Sequence, residues 1–201
     1  MSEVRHIVFD IGKVLLHYDP ELPFLHLIPD DAKRSWFLGE VCTPAWNVEQ
    51  DRGRPWPEAE ALLIERYPQE EALIRAFRRH WPEMVPHAYD DSVAILERLV
   101  GAGHDVTLLT NFAADTFAEA QARYPFLGLP RGVTVSGAVG VLKPDAAIYR
   151  LHAETFGLTP DATLFIDDSA KNVEGAKAAG WQALLFSDAG TLERDLAAYG
   201  F

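Results

Sequence analysis

The sequence predicts an α/β protein: a mostly parallel sheet with helices on both faces and a helical segment inserted after the first strand. Three observations predict it. Short apolar runs of strand length recur along the chain, helical patterns lie between most of them, and one long stretch near the start carries helix starts but no convincing strand. With 48% hydrophobic and 24% charged residues in 201, the chain has enough apolar side chain for a sizeable core, which excludes a fibrous or broadly disordered protein.

After Met1 to Arg5, the run His6-Ile7-Val8-Phe9 reads as a buried strand stopped by Asp10 and the turn former Gly12. Further strands are expected at Val106-Thr107-Leu108-Leu109, Val133-Thr134-Val135, Thr163-Leu164-Phe165-Ile166 and Ala183-Leu184-Leu185-Phe186. Ser92 to Val100 sets Val93, Leu96, Leu99 and Val100 on one helical face, while Asp115 to Tyr124 and Ala146 to Phe156 are helices following the second and third strands.

From Asp19 to His87 the alternation stops. Thr43-Pro44 pairs a capping hydroxyl with proline at the first helical position, Pro57 opens a helix through Leu62 and Leu63 toward Tyr67, and Gln69 to His80 is a third helix. Gln50 to Pro55 reads as a turn. Trp36, Trp46, Trp56 and Trp81 all fall here and are expected to pack a small helical core. The predicted division is a core domain from 1–18 and 88–201 with a helical domain at 19–87.

The charge balance, 18 basic against 30 acidic residues for a net −12, argues against a nucleic-acid or anionic-membrane partner. No apolar run approaches the roughly 20 residues that span a bilayer. The single cysteine, Cys42, reads as a buried small residue, and with no secretory type of leader the expected location is cytoplasmic.

Four short segments carry chemistry. Asp10 ends the first strand, at the carboxyl edge where parallel sheets bind ligands, although aspartate also caps turns. Thr110-Asn111 ends the second, with a hydroxyl and an amide suited to phosphate oxygens or to capping. Lys143-Pro144 precedes a helix, where a lysine neutralises carboxylates and an anionic ligand. Asp167-Asp168 ends the fourth strand, with Asn172 on the turn into the next helix. Two adjacent carboxylates are costly without a cation between them, and Mg²⁺ is the natural one.

In this order and spacing the four segments resemble the haloacid dehalogenase superfamily, over essentially the whole chain. The resemblance implies a Rossmann-like core and a cap domain over the site. It also implies a Mg²⁺-dependent phosphatase of a small phosphorylated metabolite, with a sugar phosphate as one substrate class. Asp10, in Val8-Phe9-Asp10-Ile11-Gly12-Lys13-Val14-Leu15, matches the nucleophile, Thr110 the family's Ser/Thr after the second strand and Lys143 its lysine; Thr110, Asn111 and Lys143 would hold the transferring group. Mg²⁺ would be bound by Asp10, the Gly12 carbonyl, Asp168 and Asp167, with Asn172 in the outer shell.

The family's usual second aspartate, a general acid/base two residues after the nucleophile, is replaced by Gly12, where a side chain is tolerated only if the loop does not need a positive φ. Lys13 is expected to face solvent. Two other readings share most of these residues: a metal-independent 2-haloacid dehalogenase, against which the acidic pair argues, and a phospholigand binder without turnover.

Overall fold

The computed structural model describes residues 3–201, so Met1 and Ser2 of the expected core segment lie outside the described residues. Five strands, β1 (His6–Phe9), β2 (Asp105–Thr110), β3 (Val133–Val135), β4 (Thr163–Asp167) and β5 (Gln182–Leu185), pair in parallel in the order β3-β2-β1-β4-β5. Each expected strand is present, displaced by no more than a residue at either end.

The strands are apolar throughout because both faces of the sheet are covered. Ile7 and Phe9 join Leu108, Leu164 and Ile166 on one face, under Ile95, Leu96 and Leu99 of the helix Asp90–Gly101 and Leu192 and Leu196 of the helix Ala189–Ala198. Val8, Leu109 and Phe165 point the other way, onto Ile148 and Tyr149 of Ala146–Phe156 and Ala176 of Ala170–Ala178. Asn172 lies inside this last helix, not on the turn before it.

The inserted segment folds as the helices Phe24–Leu27, Asp31–Trp36, Pro44–Asp51, Trp56–Arg66, Glu71–Arg79 and Trp81–Met84. Thr43 caps the third of them as expected, its Oγ1 accepting from the Trp46 N–H at 3.1 Å. The expected turn at Gln50 to Pro55 is shorter than the sequence suggested. Gln50 is buried and its Oε1 accepts from Arg54 Nε (2.8 Å), Arg54 also donates to the Trp46 carbonyl (2.7 Å), and these contacts carry the helix through Asp51. Gly53, with φ 107°, then reverses the chain.

Only part of the tryptophan expectation holds. Trp46 packs edge-on against Phe77 at 5.3 Å in the segment's own core. Trp56 joins it there, its ring 5.9 Å from Trp46 and 6.2 Å from Phe77, while its Nε1 reaches out to donate to Asp115 (3.1 Å); Trp36 is 38% exposed beside Tyr67, and Trp81 meets the Phe112 ring at 5.7 Å. The two chain crossings run side by side, His17 N–H to the His87 carbonyl (3.0 Å) and Tyr89 N–H to the Leu15 carbonyl (2.9 Å). Cys42 is buried, and burial followed by the Glu60 charge pushes its thiol pKa up, so it is not a reactive thiolate. No helix among the described residues is long and apolar enough to cross a membrane.

Candidate active site

The strand order places β2, β1 and β4 side by side, so Thr110, Asp10 and Asp167 are carried to one carboxyl edge of the sheet. The chain builds β2 and β3 on one side of β1 and β4 and β5 on the other, so the edge between β1 and β4 is the switch point where such sheets bind ligands.

Lys143 reaches this point from the loop before Ala146–Phe156. It is 4% exposed, and its Nζ lies 2.8 Å from Asp10 Oδ1, 2.7 Å from Asp167 Oδ2 and 3.1 Å from the Leu109 carbonyl. Burial opposes its charge, but Asp10 and Asp167 outweigh burial and raise its pKa, so it stays an ammonium. Asn111 holds that loop: its Oδ1 accepts from the Lys143 N–H (2.8 Å) and its Nδ2 donates to the Lys143 carbonyl (3.0 Å). The sequence placed this amide on phosphate; the structure engages both its ends with the Lys143 backbone.

Asp10 is 7% exposed, with Oδ1 accepting from the Ile11 N–H at 2.7 Å. Burial, against the pull of Lys143 and reinforced by Asp167, pushes its pKa up to about 7. Asp167 is fully buried and heavily engaged: Ser169 N–H and Asn172 Nδ2 donate to Oδ1 (2.8 and 3.0 Å), while Lys143 and Asn172 donate to Oδ2 (2.7 and 3.1 Å). Asp168 is half-exposed, its pKa raised by burial and by Asp167 against the pull of Lys13 and Lys143. One carboxylate oxygen from each of Asp10, Asp167 and Asp168 lies within 4.8 Å of the others.

The left-handed residue of the loop after β1 is Lys13, with φ 58°, and not Gly12, whose φ is outside that region. The Lys13 side chain is exposed as expected, yet close enough to Asp168 to lower its pKa. Beside the carboxylates, Gly12 and Asn111 share a cavity of about 90 Å³ with Asp51, Trp56, Trp81 and Phe112. Trp81 and Asp51 here are functional candidates that sequence reasoning did not assign to the site. No spacing signal marks them, because they arrive from the insertion by tertiary folding.

The raised carboxylates make stability fall as pH rises. The unfolded chain ionises Asp10 and Asp51 near 3.8 and the folded one near 7, so between these values the folded state holds more protons. In chelator, calorimetry should show Tm falling from pH 5 to pH 7.5, and Asp10→Asn should flatten that slope. A slope unchanged by the substitution would contradict the assignment.

Fold and site define a protein of the parallel α/β class that gathers three carboxylates and a buried lysine at the carboxyl ends of its strands. The chain belongs to the haloacid dehalogenase-like hydrolases, whose family model matches residues 4–180. It is 32% identical over 120 residues to a phosphatase from Mycobacterium tuberculosis, a match covering 56% of this chain and 54% of that protein, about half its length. It is 29% identical over 183 residues to a sesquiterpene phosphatase from Aspergillus oryzae, covering 90% of this chain and 89% of that one.

Among solved structures, a HAD family enzyme from Bacteroides thetaiotaomicron in complex with magnesium and inorganic phosphate superposes with TM-score 0.72 at 19% identity, covering 92% and 94% of the two chains. An L-2-haloacid dehalogenase from Xanthobacter autotrophicus with chloropropionic acid covalently bound gives 0.67 at 20%, covering 97% and 83%. At these identities the likeness is one of fold. Since the fold accommodates both proteins, the choice between the two chemistries falls to the side chains.

Proposed function

We propose that the protein is a Mg²⁺-dependent phosphatase that hydrolyses a small phosphomonoester through an aspartyl-phosphate on Asp10, with the helical insertion as its cap. The carboxylate cluster carries this reading: three carboxylates meet at the switch point with one buried ammonium among them, leaving excess negative charge. An all-oxygen donor set is what Mg²⁺ takes, so the residues fit the ion. Asp10, Asp168 and the Gly12 carbonyl would hold it. Asp167, both of whose oxygens already accept two hydrogen bonds, belongs to the set chiefly by fixing Lys143 and Asn172. Bound there, Mg²⁺ supplies charge neutralisation on the phosphoryl oxygens.

The chain's own groups do the rest. Lys143 and the Ile11 N–H fix Oδ1 of Asp10 and so orient the carboxylate for attack on phosphorus. Thr110 and Lys143 hold the transferring group, and Asn111 keeps Lys143 in place. The cavity walls of Trp56, Trp81 and Phe112 favour a weakly polar alcohol portion over a sugar.

A panel of alkyl, aryl and sugar phosphates assayed with Mg²⁺ or chelator tests the reading, alongside halide release from chloropropionate. Mg²⁺-dependent phosphate release is expected; metal-independent halide release would replace the phosphatase with the dehalogenase. Asn172→Ala should cost about 10–100-fold in Mg²⁺ affinity, as loss of an outer partner does, and Asp168→Ala more than that. Titrating activity against Mg²⁺ gives both values, and the reverse ranking would exchange the two roles.

A further inference from the structure

We propose that Asp51, at the end of the inserted helix Pro44–Asp51, donates the proton to the departing alcohol oxygen. The proposal rests on the phosphatase reading. An alkyl phosphomonoester leaves as an alkoxide, and an acid within reach typically contributes about 10²–10⁴-fold to such a step. Gly12 has no side chain to offer, and Asp10, Asp167 and Asp168 are committed to attack, to Lys143 and to the metal.

Asp51 comes from the other domain yet is pinned to this one. Its main-chain carbonyl accepts from Ser136 Oγ (2.5 Å), its carboxylate accepts from the Ala113 N–H, and a Cβ on neighbouring Gly53 would come within 3.0 Å of the Gly137 carbonyl oxygen. Asp51 lines the cavity of about 90 Å³ that Gly12 and Asn111 also line. No lysine or arginine forms an ion pair with it among the described residues. Burial pushes its pKa up to about 7 against the single N–H bond, so a large share is protonated at neutral pH.

Its titratable neighbours are Tyr18, in the same cavity, and Lys13 and Cys42, with which it lines an adjoining hollow. Tyr18 is a poorer donor, because burial and the charges of Asp51 and Asp19 raise its pKa further from neutrality.

The steps balance. As an Asp10 oxygen bonds to phosphorus, the bond to the alcohol oxygen breaks, its electron pair stays on that oxygen, and the Asp51 proton joins it to release the alcohol. Water then bonds to phosphorus as the Asp10–phosphorus bond breaks, and its proton returns to the Asp51 carboxylate.

Asp51→Asn, which keeps an acceptor for the Ala113 N–H, separates this role from a structural one when assayed on two substrates. With phenethyl phosphate, kcat/KM should fall about 10²–10⁴-fold, and with p-nitrophenyl phosphate, whose leaving group needs no proton, at least tenfold less. A Cβ on Gly12 meets no atom within 4 Å, so adding Gly12→Asp to the variant should restore part of the phenethyl phosphate rate. Equal losses on both substrates, or none on phenethyl phosphate, would overturn the assignment while leaving the phosphatase reading intact. A wild-type protein inactive on every phosphomonoester would remove both.

Discussion

Replacing Asp10 by asparagine should lower phosphomonoester hydrolysis by at least about 10⁴-fold, the scale on which loss of a nucleophile is felt, and leave the protein folded. The amide keeps the shape of the carboxyl and still offers an oxygen to Lys143 and to the Ile11 N–H, at present 2.8 and 2.7 Å away. It lacks the anionic oxygen that bonds to phosphorus. Stability should not suffer, because burial already raises the Asp10 pKa to about 7, which means the charged form is the disfavoured one in the folded protein. In chelator at pH 7.5 the variant should therefore melt at or above the wild-type temperature. Phosphate release and calorimetry on the same preparation check both halves, and intact-mass measurement during turnover should detect a phosphorylated chain only with Asp10 present. Near-wild-type turnover by the variant would falsify the covalent route.

The sheet was legible because parallel strands buried on both faces must be apolar along their length, so Ile7 to Phe9 and Leu164 to Ile166 stand out against their flanks. The strand-end positions of Asp10, Thr110 and Asp167 followed from that reading alone. Other features depend on contacts between distant segments. The helix Ala189–Ala198 was not read, since only Leu192 and Leu196 anchor it and the rest of its surface is polar or small. Asn111 looked like a phosphate ligand because residue type and position suit that task; its two bonds to Lys143 join residues 32 apart. Asp51 falls in a stretch that reads as a polar turn, and the buried Gln50–Arg54 contact is what makes it the last residue of a helix, beside the cavity lined by Gly12 and Asn111. The left-handed position after β1 was not legible, because sequence ties such a conformation to glycine and here it falls on Lys13, one residue past Gly12.

Lys143→Met should be the most destabilising change in the site. The side chain is almost wholly buried, and its ammonium is the cation in contact with both Asp10 and Asp167. Removing one partner of such a buried set leaves uncompensated charge and costs about 3–5 kcal/mol, which in a chain of this size lowers Tm by on the order of 10 °C. Asp167 bears most of the loss: it retains the bonds from Asn172 and Ser169 but no adjacent positive charge. Arginine is not a remedy, because its larger planar guanidinium does not fit a pocket built around a compact ammonium that touches two carboxylates and the Leu109 carbonyl. Two additions should restore stability to Lys143→Met by different means. Asp10→Asn removes one of the stranded carboxylates, so the double variant should melt above the single one, a coupling that neutral replacement alone does not predict. Mg²⁺ should raise Tm more in Lys143→Met than in the wild type, because the ion then faces carboxylates that no ammonium screens. Calorimetry on the single and double variants, with Mg²⁺ and with chelator, measures both effects; strictly additive losses with no extra response to Mg²⁺ would show that Lys143 does not balance the charge of the carboxylates beside it.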